Sequence, residues 1–107
     1  MCLPVTECAT PKQWGFETAG VDGLPVIDNC FSEWDGVATL LRPDWSVGVQ
    51  ATGCRWLHLY RPLDQDYLCM EPQSAANGAL NRDTAEVPVL RPGERSAICM
   101  RVAVEPR

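Results

Sequence analysis

From residue 26 onward, short apolar runs alternate with turn-forming residues at intervals of roughly ten positions, a pattern that predicts an all-β domain. Val26 and Ile27 run into Asp28, and Trp34-Asp35-Gly36 is a turn in which Gly36 is free to take a positive φ. Val37-Ala38-Thr39-Leu40-Leu41 follows as a strand. Arg42-Pro43-Asp44-Trp45 then places proline at the second position of a turn, where its fixed φ is wanted. Val47, Val49 and Ala51 alternate with Gly48 and Gln50, the period of a half-buried strand, before Thr52-Gly53 turns the chain again. Trp56-Leu57-His58-Leu59-Tyr60 has large side chains on both faces and reads as the central strand of a sheet covered on both sides. After the loop Arg61-Pro62-Leu63-Asp64-Gln65-Asp66, the strand Tyr67-Leu68-Cys69-Met70 leads into Glu71, where Pro72 is expected to end regular pairing.

Residues 73–86 are polar and small and predict a long loop with one helical turn near Ala79. Val87-Pro88-Val89-Leu90 is expected as a short edge strand. Arg91-Pro92-Gly93-Glu94 fits a type II turn. Ile98, Met100, Val102 and Val104 alternate with Cys99, Arg101 and Ala103 in the longest clean strand. The expected architecture is an antiparallel β-sandwich rather than a closed barrel. Residues 1–25 carry no period and are broken by Pro4, Pro11, Gly15, Gly20, Gly23 and Pro25, so an irregular N-terminal segment is expected to precede the sandwich portion at 26–107.

Composition narrows the function. The 107 residues make one small domain with a single modest core. A net charge of −5 and nine scattered basic residues argue against nucleic acid as a partner. No run approaches the 18 or so apolar residues of a membrane span, so no membrane partner is expected. Met1-Cys2-Leu3-Pro4 does not resemble a signal peptide, which makes the cytoplasm the expected compartment. The six cysteines, at 2, 8, 30, 54, 69 and 99, lack any Cys-x-x-Cys spacing. They read as free thiols, with an oxidised Cys2–Cys8 loop as the alternative, and no metal site is expected.

The informative residues are Asp28 and Glu71. Each follows apolar strand residues and precedes an expected break, which presents a carboxylate rather than burying it. Paired carboxylates at strand ends can hold and deprotonate hydroxyl groups, as a polyol ligand requires. Phe31, Trp34 and Trp45 are near enough in sequence to stack on a pyranose ring. The one histidine, His58, shares a face with Trp56 and Tyr60 and is expected to be a packed or partly exposed strand residue, with a ligand contact as the alternative.

Asp28-Asn29-Cys30-Phe31-Ser32-Glu33-Trp34-Asp35-Gly36 resembles the Asp-His/Asn-Cys-Phe-x-x-Trp-Asp-Gly segment of aldose 1-epimerases, the galactose mutarotases. The resemblance continues in order through Leu57-His58-Leu59-Tyr60-Arg61-Pro62 and Tyr67-Leu68-Cys69-Met70-Glu71-Pro72-Gln73-Ser74 to Asn81 and Leu90-Arg91-Pro92-Gly93-Glu94, spanning about residues 24–104. It implies the C-terminal part of a large antiparallel β-sandwich that interconverts α and β anomers of hexoses such as glucose or galactose, without a cofactor. By motif match Glu71 would be the base that deprotonates the anomeric hydroxyl. Asp28, with Trp34, would bind the sugar. The family's catalytic histidine acid and a substrate-binding arginine lie on upstream segments, and His58 matches an apolar position of the family, not that acid. The resemblance therefore implies a C-terminal fragment, inactive alone, that self-associates or awaits an N-terminal half. A non-catalytic sugar-binding sandwich module and a plain structural domain are the alternatives.

Overall fold

The computed structural model describes residues 26–82 and 87–107, together with Ala9. The irregular segment expected at 1–25, and with it a Cys2–Cys8 loop, lies outside those residues apart from Ala9. Six strands follow in chain order: β1 (Ile27–Phe31), β2 (Val37–Leu41), β3 (Trp45–Thr52), β4 (Trp56–Arg61), β5 (Cys69–Gln73) and β6 (Cys99–Pro106). One turn of 3-10 helix at Ala79–Asn81 interrupts the long loop after β5, at the place the sequence suggested. The strands form two three-stranded antiparallel sheets, β1-β4-β5 and β2-β3-β6. The fold is all-β, an antiparallel sandwich-like arrangement.

The turns form where residue types constrain the backbone. Gly36 has φ +91° and lies so close to the facing strand that a Cβ on it would stand 2.5 Å from the Ala51 carbonyl oxygen. That contact accompanies the bond from the Ala51 N–H to the Gly36 carbonyl, 2.8 Å, which closes the start of the β2–β3 hairpin. Arg91–Glu94 is a hydrogen-bonded turn: the Glu94 N–H donates to the Arg91 carbonyl at 3.0 Å, and Gly93 has φ +88°. Glu33 is the one non-glycine residue with positive φ among those described, at 56°, where the chain leaves β1.

The core is small and lies against β4. Ile27, Leu57 and Leu59 are buried together, and Phe31, Trp34, Ala38 and Met70 pack around them. Ala38 belongs to β2, so this cluster is where the second sheet meets the first. β4 is central in its sheet, with both faces of Leu57-His58-Leu59 buried, as the large residues on its two sides predicted.

Four expectations about strands need correction. Asp28 does not sit at a strand exit but at the second position of β1, because pairing with β4 runs from Ile27 to Phe31. Glu71 is in the middle of β5, and Pro72 pairs opposite Leu57 instead of ending the strand. The reason is position: β5 is an edge strand, the place in a sheet where a missing N–H is tolerated. Tyr67 and Leu68 precede β5, with Tyr67 meeting Tyr60 edge to face at 6.2 Å. Val87–Leu90 is not a strand; it runs irregularly, Pro88 supplies no N–H for pairing, and Val89 is 80% exposed.

Candidate functional site

Strand register builds the site. Directly opposed residues of an antiparallel pair share a face, and side chains alternate along each strand. On β1 and β4 the opposed pairs are Asp28 with Tyr60 and Cys30 with His58. On β4 and β5 they are Tyr60 with Cys69, His58 with Glu71, and Trp56 with Gln73. Asp28, Cys30, Trp56, His58, Tyr60, Cys69, Glu71 and Gln73 therefore share one face, while Ile27, Leu57, Leu59 and Met70 make the opposite, core-facing side.

His58 is the centre of that polar face. Its Nε2 lies 2.8 Å from Asp28 Oδ1, and its Nδ1 lies 2.8 Å from Asn77 Nδ2. An amide nitrogen only donates, so Nδ1 accepts and the proton sits on Nε2, where it is donated to the Asp28 carboxylate. Both ring nitrogens of the buried imidazole are thus occupied. About a third of the Asp28 side chain is exposed, and among the described residues only His58 bonds its carboxylate. Glu71 is exposed and stands directly across from His58 on the far strand. β1 and β5 flank β4, so the strands bearing the two carboxylates lie two spacings of about 4.8 Å apart with the imidazole between them, and Asp28 leans across to bond it.

The Cys30 Sγ donates to Gln73 Oε1 at 3.4 Å. Burial pushes the Cys30 thiol above its ordinary value of 9.0, against smaller opposing effects of a backbone hydrogen bond at Asn77 and the charge of Arg82. A thiol held protonated in this way is a poor nucleophile. Cys54 and Cys69 are also free, as is Cys99, which is exposed rather than part of a core. Among the described residues no group of three His, Cys, Asp or Glu side chains is arranged to hold a metal ion. Nor is any helix among them long and apolar enough to cross a membrane.

Of the residues singled out from sequence, Asp28 and Glu71 come to one face and Trp34 does not join them. Trp34 packs on the core side, and its indole Nε1–H is held by the Val37 carbonyl at 2.8 Å. Phe31 is likewise on the core side, and Trp45 is in the other sheet. The aromatic residues that flank the carboxylates are Trp56 and Tyr60, both half-buried. Their position could be read from the alternation that puts them on the face of His58. Asn77 carried no such signal, because it reaches His58 from a loop.

A concavity of about 260 Å³ lies on the other sheet between Val37, Thr39, Gln50, Arg101 and Glu105. It is open and brings no acid–base partner to its two charges, so the chemistry favours the Asp28–His58–Glu71 face. Comparison with protein-family models, curated proteins and solved structures finds no match to the chain.

Proposed function

We propose that this chain carries a mutarotase-like hexose site on the polar face of the β1-β4-β5 sheet. The observation that supports the reading is the shared face: Asp28 and Glu71, chosen by their resemblance to aldose 1-epimerase motifs, stand on either side of one imidazole on the same side of the sheet. In this reading Asp28, oriented by His58, accepts hydrogen bonds from sugar hydroxyls. Glu71 takes the position of the base toward the anomeric hydroxyl. Trp56 and Tyr60 offer apolar surface to the ring, the part first assigned to Trp34.

Opening a pyranose ring also needs a proton delivered to the ring oxygen. His58 has none to spare, since its single N–H is committed to Asp28 and its lone pair to Asn77. The site therefore binds hexose without turning it over, which is the non-catalytic form of the reading. Titration calorimetry with glucose and galactose tests it. A saturable heat that disappears in Asp28→Ala is expected, and polarimetry on a freshly dissolved anomer should show no acceleration over buffer. Absence of any heat with both sugars overturns the sugar site. Accelerated mutarotation overturns the claim that the chain lacks an acid.

A further inference from the structure

We propose that a second copy of this chain docks on the free edge of β6, extending the β2-β3-β6 sheet into a symmetric six-stranded one. β6 is the outermost strand of its sheet, and it spans eight residues in unbroken register with β3. Its outer edge leaves a row of backbone donors and acceptors unpaired among the described residues. Native edges are commonly guarded by lysine, bulges or an interior proline. This one has no lysine and no bulge, and its only proline is Pro106 at the last position.

The side chains specify the occupant. Met100, Val102 and Val104 lie opposite Ala51, Val49 and Val47 and share their face. Val49 is buried, whereas Met100, Val102 and Val104 are 56%, 54% and 68% exposed, so the apolar face of the sheet runs out uncovered at its edge. The alternate positions carry Arg101, Ala103 and Glu105. An antiparallel pairing about a two-fold axis through Ala103 sets Arg101 of one copy opposite Glu105 of the other, twice. It also sets Val102 of each copy against Val104 of the other on the apolar face. Neither the Arg101 nor the Glu105 side chain has a hydrogen bond or ion pair among the described residues, so both are available for these cross-strand pairs. An isologous contact of this kind closes on itself and produces a dimer rather than a filament. The alternative axis through Val102 would set Arg101 against Ala103 and leave Glu105 facing Cys99, without charge pairing.

The test is sedimentation velocity on the full chain over a dilution series, with circular dichroism to check that each variant keeps its strand content. The wild type is expected to show a monomer–dimer equilibrium. Arg101→Glu places two glutamates opposite each other at both ends of the pairing and should weaken the dimer about tenfold or more. Glu105→Arg should do the same, and the double swap Arg101→Glu with Glu105→Arg should restore wild-type association. A monomer at every concentration, a polydisperse aggregate in place of a dimer, or a dimer indifferent to the single swaps would each overturn the proposal. So would failure of the double swap to restore a dimer that both single swaps weaken.

Discussion

At the scale of single residues, His58 decides how the polar face works. It stands 30 positions from Asp28 and 19 from Asn77, and only the pairing of β1 with β4 and the path of the loop after β5 bring the three together. The pattern of the chain shows which residues share a face within β4, and so groups His58 with Trp56 and Tyr60. It does not show which strand lies alongside, so the hydrogen bond to Asp28 was not legible. Trp34 illustrates the same limit, since closeness to Asp28 in sequence says nothing about the side of the sheet on which a turn residue packs. Because the imidazole is buried and bonded at both nitrogens, His58→Leu should destabilise the fold by roughly 1–3 kcal/mol, mainly through the half-buried Asn77 amide left without its acceptor. Urea unfolding should show a lower midpoint at unchanged slope. An unchanged midpoint would mean that the two bonds do not help to hold the sheet and its loop together.

At the scale of elements, what could be read depended on how strongly residue type constrains dihedral angle. Gly36, Gly53 and Gly93 adopt the positive φ their turns require, and β2 has the bounds the pattern predicted, while β3 takes in Trp45 and Thr52, which the pattern placed in turns. Asp28 was misplaced because β1 runs on past it through Asn29 and Cys30 to Phe31, and Glu71 for a different reason. A proline ends pairing in a central strand but not in an edge strand, and edge position is a property of the assembled sheet. Val87–Leu90 erred in the opposite direction, because strand-forming residues without a neighbour to pair with remain irregular. Gly36 provides the clearest test at this scale. Gly36→Ala must hold a Cβ at φ +91° and 2.5 Å from the Ala51 carbonyl oxygen, so it should lose roughly 1–3 kcal/mol from the backbone conformation and more from the clash. Gly48 lies in β3, and nothing stands within 4 Å of a Cβ placed on it. Gly48→Ala should therefore be neutral or slightly stabilising in the same thermal melt. Equal melting temperatures for the two variants would contradict the account of the hairpin.

At the scale of the whole molecule, the two sheets divide the work. The β1-β4-β5 sheet turns its apolar side to the small core and its polar side, with Asp28, His58 and Glu71, outward. The β2-β3-β6 sheet covers part of that core through Ala38 and ends in an edge strand whose Met100, Val102 and Val104 are exposed. The all-β class was legible because alternation and turn chemistry are local. The division into two sheets was not, since it depends on which distant strands pair. The central claim is that hexose is bound on the first sheet, and nuclear magnetic resonance mapping tests it most directly. With ¹⁵N-labelled protein and increasing galactose, saturable shifts should concentrate at Asp28, His58, Tyr60, Glu71 and Asn77 and leave β6 unmoved. Shifts gathered instead around Arg101 and Glu105, or none at all as the sugar is raised, would contradict it.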